Sequence, residues 1–128
     1  MGALDDKDEI RELMSRYNRC IDFPDIEGWL ACWAPDGVME FGGRPPVAGL
    51  DELRAYGAGR TGGSFHLSTN EVIDLDGDEA RVTSYIAVVA GDGDPVIRIA
   101  GRYDDVVRRV DGAWKFARRT LDPRLRRA

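Results

Sequence analysis

The second half of the sequence consists of four long strand-like runs joined by turns too short to hold a helix, and this constrains the fold more than any other feature. Ser64–Leu75 ends at Asp76-Gly77-Asp78, Glu79–Ala90 at Gly91-Asp92-Gly93-Asp94-Pro95, and Val96–Val110 at Asp111-Gly112, after which Ala113–Leu121 completes the series. Breaks of this length join neighbouring antiparallel strands, whereas parallel pairing needs crossovers of a dozen or more residues. Three of the runs are well beyond the roughly five or six residues of an ordinary strand. Strands of that length twist and coil, and helices packed on one face turn such a sheet into a cup.

The first half supplies the helices. Asp6 with Glu9 reads as an N-cap and capping box, and Ile10, Leu13, Met14, Tyr17 and Ile21 then recur at helical spacing over about residues 6–21, up to the stop at Pro24. Asp25 can cap a second helix with the stripe Ile26, Trp29, Leu30, Trp33, ended by Pro35-Asp36-Gly37. Val38–Phe41 reads as a short strand closed by Gly42-Gly43, and Leu50–Tyr56 as a brief third helix running into the glycine-rich stretch Gly57–Gly63. With neither repeat nor linker, the chain is expected to form one domain over residues 1–128. The fold class expected is α+β: a cone-shaped barrel in which N-terminal helices pack on a strongly curved, mainly antiparallel sheet around a pocket. Trp29, Trp33, Trp114, Phe41, Phe65 and Phe116 are expected to form its core.

Charge narrows the partners. Against 18 basic residues stand 23 acidic ones, a net charge of −5, which argues against nucleic acid as a partner. The one basic cluster, Arg118, Arg119, Arg124, Arg126 and Arg127, reads as a solvated strand end and tail. Gly2, Ala3 and the charged run Asp5–Glu9 follow Met1 where a secretory leader would be apolar, and no apolar stretch approaches the roughly 20 residues of a membrane span. A cytoplasmic protein without a membrane partner is expected. Cys20 and Cys32 lack metal-ligand spacing and read as buried free thiols, and a single histidine is too few for a zinc site, so no metal is expected.

That histidine is the centre of the chemistry. His66, Ser68 and Asn70 alternate on what reads as a central strand, so all three share one face and must meet solvent or line a wet cavity. A hydrogen-bonded wall histidine and a functional one are equally compatible with this row. Asp22, just past the first helix, is placed to accept a hydrogen bond from one imidazole nitrogen, fixing the tautomer and leaving the other nitrogen as a general base. Tyr17 lies five residues earlier and also fits the apolar stripe. Arg119 could pair with Asp104 or Asp105, or face the pocket.

The stretches Ile10-Arg11-Glu12-Leu13-Met14-Ser15-Arg16-Tyr17 leading to Cys20-Ile21-Asp22, Trp29 to Gly37, His66-Leu67-Ser68-Thr69-Asn70, Gly101-Arg102-Tyr103-Asp104-Asp105 and Asp111 to Phe116 follow one another in a familiar order. In them the chain resembles the SnoaL-like branch of the nuclear-transport-factor-2-like superfamily, alongside scytalone dehydratase, bile acid 7α-dehydratase and hexachlorocyclohexane dehydrochlorinase. The resemblance implies the same cup. It places His66 at the catalytic base, Asp22 at its carboxylate partner, Tyr17 at a pocket tyrosine and Arg119 at an arginine that helps a departing anion. The chain departs from the pattern in having no second histidine, in reading Ala87-Val88-Val89 where the bile acid enzyme has an aspartate, and in carrying Phe41 where a second pocket tyrosine is expected. Since one cup carries enzymes, binding proteins and structural subunits, the resemblance fixes fold better than reaction.

The expectation is therefore a cofactor-free lyase or isomerase acting on an apolar cyclic small molecule. His66, Asp22 and Tyr17 are its candidate catalytic residues, and Asn70, Arg119, Phe41 and Trp33 its substrate-binding residues. The alternative is a binding or assembly domain that keeps the pocket without turnover. A homo-oligomer, dimer or trimer, is expected through the convex sheet face, on which Ile97 and Ile99 are placed.

Overall fold

The computed structural model describes residues 2–126, so Arg127 lies outside the described residues. The elements run α1 (Ala3–Asp22), α2 (Ile26–Leu30), β1 (Trp33–Phe41), β2 (Val47–Ala48), α3 (Gly49–Gly57), β3 (Ser64–Asp76), β4 (Glu79–Ala90), β5 (Val96–Val110) and β6 (Ala113–Arg126). One six-stranded sheet has the order β2-β1-β6-β5-β4-β3. Strands β3 to β6 form the expected antiparallel meander, while β1 runs parallel to β6. The sheet is strongly curved and not closed, and the helices pack against its inner face.

Register shifts interrupt the ladder between Thr69 and Val72, Val88 and Val89, Ala100 and Gly101, and Val106 and Val107. Each adds local twist, which bends long strands into a cone. The closed end of the cone is filled by Ile10, Leu13, Tyr17, Trp29, Trp33, Val82, Val107 and Phe116, all at most 3% exposed. Burying side chains of this size stabilises by about 1.5–3 kcal/mol each before conformational entropy is subtracted.

Several local expectations are corrected. Helix α1 starts at Gly2, whose backbone N–H donates to Asp5, whereas Asp6 is turned inward to accept from Arg109 and the Trp114 indole. The Arg109 guanidinium holds the Asp6 carboxyl below the usual carboxylate range. Asp25 does cap α2, accepting from Gly28 N at 2.9 Å, but that helix ends at Leu30 and Trp33 opens β1 instead. The Trp33 ring requires Gly37, where a Cβ would lie 2.7 Å from Trp33 Cε3. Phe65 is not core: it is 55% exposed on the outer face beside Phe23. Cys32 is a buried free thiol, pushed up by burial to about 11, while Cys20 is half-buried.

Candidate active site

Strand β3 is an edge strand rather than a central one, and this explains how His66 is held. Its inner-face residues Ser64, His66 and Ser68 face α1, and its outer backbone N–H groups have no further strand to bond. Asp22, at the C-terminal end of α1, fills that role. Both carboxylate oxygens accept from the His66 backbone N–H at 3.1 Å, and Oδ1 also meets His66 Nδ1 at 2.7 Å. Four residues earlier, Asn18 Nδ2 donates to Ser68 Oγ at 2.9 Å. The end of the helix is thus tied to the sheet edge at two points.

The electrostatics follow from the geometry. The Asp22 and His66 side chains are 7% and 12% exposed, so the pair sits largely out of water. A carboxylate against Nδ1 selects the tautomer with the proton on Nδ1, leaving Nε2 as a lone-pair acceptor. His66 lines a cavity of about 540 Å³, the size of a small-molecule site, and Asp22 stands behind the imidazole rather than on the cavity wall.

Tyr17 also lines this cavity, with its ring packed edge-on against Phe116 at 5.2 Å and Trp33 at 5.9 Å. Its hydroxyl meets only Met39 Sδ, at 3.8 Å. Burial pushes the Tyr17 phenol well above its ordinary value, so it remains a proton donor. Phe41 lines the wall as expected.

Arg119 combines its two expected placements. It lines the cavity and also pairs with Asp105, Nε to Oδ1 at 3.2 Å, with both side chains at most 1% exposed. Tyr103 at 3.6 Å, Tyr17 at 4.4 Å and Phe116 at 4.4 Å surround the guanidinium with aromatic faces. Among the described residues, Arg119 Nη1 and Nη2 and Asp105 Oδ2 have no hydrogen-bond partner. Burial pushes the Asp105 carboxyl up, to about 7, against the opposing pull of Arg119.

Two candidates fall outside the site. Asn70 sits in the bulge between Thr69 and Val72, where φ is +55°, and is exposed. The inserted residue breaks the alternation that would have put it beside His66 and Ser68. Trp33 is 3% exposed in the closed end, against Tyr17, Trp29 and Phe116, and does not line the cavity. Ile99 is a third correction: it lines the cavity, while Ile97 lies outside, 60% exposed.

The cavity also takes in Tyr56, Arg60, Arg98 and Tyr103, which sequence reasoning missed. Tyr103 was legible from alternation with the buried Asp105 and Val107; the others depend on loop and bulge geometry. Among the described residues no group of three or more His, Cys, Asp or Glu side chains could hold a metal ion, and no helix is long and apolar enough to cross a membrane.

Comparison with known proteins matches this geometry to a family. A protein of unknown function from Mycobacterium tuberculosis is 32% identical, with 96% of this chain and 76% of that one covered and a TM-score of 0.86. A cystatin-like-fold protein of unknown function from Nostoc punctiforme is 31% identical over 96% and 93% of the two chains, with a TM-score of 0.85. A candidate scytalone dehydratase from Novosphingobium aromaticivorans is 26% identical over 95% and 86%, with a TM-score of 0.86. No functionally curated protein matches the sequence. The model of the SnoaL-like domain matches residues 2–120, nearly the whole chain, and the chain therefore belongs to the SnoaL-like family.

Proposed function

We propose that this chain is a lyase, a dehydratase or related β-eliminating enzyme, or an isomerase, acting on an apolar cyclic small molecule with its own side chains and no cofactor. The observation that carries the reading is the 2.7 Å contact between His66 Nδ1 and Asp22, with the same imidazole lining a cavity of about 540 Å³. His66 Nε2 takes a proton from carbon beside a carbonyl, and the Asp22 carboxylate stabilises the imidazolium that forms. In elimination, the C–H electron pair becomes the new double bond as hydroxide or another anion leaves. In isomerisation, the proton returns to a different carbon. The Tyr17 hydroxyl donates to the carbonyl or leaving oxygen, and the Arg119 guanidinium opposes negative charge developing at the back of the cavity. Phe41 contributes apolar wall.

The test is incubation with a panel of cyclic ketones and alcohols in heavy water, followed by mass spectrometry. Loss of water or acid from one member, or deuterium gained at carbon, is expected with the parent protein and not with His66→Ala. Binding of panel members with neither change, unaltered by His66→Ala, would identify a binding domain instead.

A homo-oligomer, dimer or trimer, belongs to the same reading. Phe65, Leu67, Tyr85, Ile97 and Leu125 are each more than half exposed, and a second copy would cover apolar side chains of this kind. Light scattering giving the mass of one chain would remove this part.

A further inference from the structure

Most arginines on this surface have an acidic partner, including Arg11, Arg54, Arg81, Arg108, Arg109, Arg118 and Arg124. Among the described arginines that lack one, Arg19 and Arg102 lie elsewhere on the surface, and two line the cavity. Arg60 and Arg98 both line it and are both exposed, which places them on its rim, and among the described residues neither lies in an ion pair. Arg60 is held over the ring of Tyr56, itself a cavity residue, at 5.4 Å. Phe41, on the wall, has Arg44 over its ring at 4.9 Å and Arg126 at 5.6 Å, again with no carboxylate partner among the described residues.

Arg98 is placed there by a specific backbone device. Val88 pairs with Ile99 while its neighbour Val89 pairs with Ile97, so Arg98 is the extra residue of a β-bulge. Ile97 and Ile99 would share a face in a regular strand, and the bulge instead puts Ile97 outside and turns Arg98 inward with Ile99. Two acids also reach the cavity. Glu40 is paired with Arg118, and Asp92 stands on the rim without coming within ion-pair distance of Arg60 or Arg98. The entrance therefore carries more free positive than free negative charge, in a chain whose net charge is −5.

We propose that Arg60 and Arg98 form an anion-recognition site at the cavity mouth, and that the ligand is an apolar ring system carrying an acidic group, carboxylate or phosphate. The proposal rests on this cavity being the substrate site. Guanidinium groups bind both anions through paired N–H donors, and the aromatic faces beneath Arg60, Arg44 and Arg126 hold those side chains in place. The ring fills the apolar interior, and the anion stays at the wet entrance, where its desolvation is incomplete and cheap.

The experiment compares 8-anilinonaphthalene-1-sulfonate with N-phenyl-1-naphthylamine, one aryl body with and without an anion, by fluorescence titration of the full chain. The anionic probe is expected to bind at least about tenfold more tightly. Arg60→Met with Arg98→Met should erase that preference while leaving the neutral probe's affinity and the circular dichroism spectrum unchanged. Equal affinity for the two probes, or a preference that survives in the double variant, overturns the proposal. Competition by 2-naphthoate and 2-naphthyl phosphate then separates carboxylate from phosphate recognition, and displacement by neither also overturns it. His66→Ala should keep the preference intact, so a failure of the proton-transfer reading is distinguishable from a failure of this one.

Discussion

Asp22 and Asp105 are both carboxylates withdrawn from water beside a basic partner in the same cup, and they differ in how fully they are satisfied. Asp22 accepts from a backbone N–H with both oxygens and meets the imidazole with one of them, and the partner's free nitrogen belongs to a side chain lining the cavity. Asp105 has a single bond at 3.2 Å, and its other oxygen and both terminal nitrogens of Arg119 are unpartnered. The first arrangement fixes an imidazole in one orientation. The second keeps donors buried and unspent, at a stability cost that packing elsewhere must offset. The difference teaches that burial alone does not mark a site: what matters is which polar atoms the fold leaves free and where they stand.

The comparison can be broken most sharply at the imidazole. Once a substrate is found, His66→Ala should lower kcat/KM by about 10²–10⁴-fold with little change in Tm, since a general base contributes on that scale. A large fall in Tm with unchanged turnover would make His66 structural. At the other pair the order reverses. Arg119→Met leaves the Asp105 carboxyl buried without a counter-charge and should cost about 3–5 kcal/mol in urea unfolding. Arg119→Met combined with Asp105→Leu should recover most of that loss, and a single variant costing under about 1 kcal/mol would contradict the buried pair.

Smaller effects sharpen the contrast. Asp22→Asn keeps the imidazole but loses its orienting anion, so kcat/KM should fall by about 10²-fold or less, a smaller drop than for removal of the base. Asp105→Asn tests linkage. A carboxyl raised to about 7 in the folded state carries stability that is complete below its unfolded value near 3.8 and is lost as the pH rises through 7. Only the parent has that carboxyl to ionise, so the Tm of Asp105→Asn relative to the parent should improve by about a few degrees between pH 5 and pH 8. No change in that difference would remove the raised carboxyl. Least of all, Tyr17→Phe should alter stability by under about 1 kcal/mol, because the hydroxyl meets only a thioether at 3.8 Å. A loss of turnover without a loss of stability would then isolate the hydroxyl's proton-donor role.

Much of the fold was legible because it rests on local pattern. Glu79–Ala90 and Val96–Val110 emerge with the bounds read from their turn residues, and α1 carries the stripe Ile10, Leu13, Met14, Tyr17, Ile21 on its buried face. The errors occur where one residue changes the phase. The bulge after Thr69 removes Asn70 from the row of His66 and Ser68, and the bulge at Arg98 splits Ile97 from Ile99. A period of two cannot survive an inserted residue, and no local signal at Asn70 or Arg98 announces the insertion.

The sequence by itself determined the helix-then-meander order, the shared face of His66 and Ser68 and the candidacy of His66 with Asp22, since periodicity, turn chemistry and residue type act over a few neighbours. Only the tertiary structure decided that β3 is an edge whose free N–H groups Asp22 could capture, and that β1 lies parallel to β6. It also decided that Arg119 is buried against Asp105 and that Arg60 and Arg98 line one cavity. Those outcomes join residues tens of positions apart. Their positions are set by sheet curvature and helix packing, which depend on the whole chain at once.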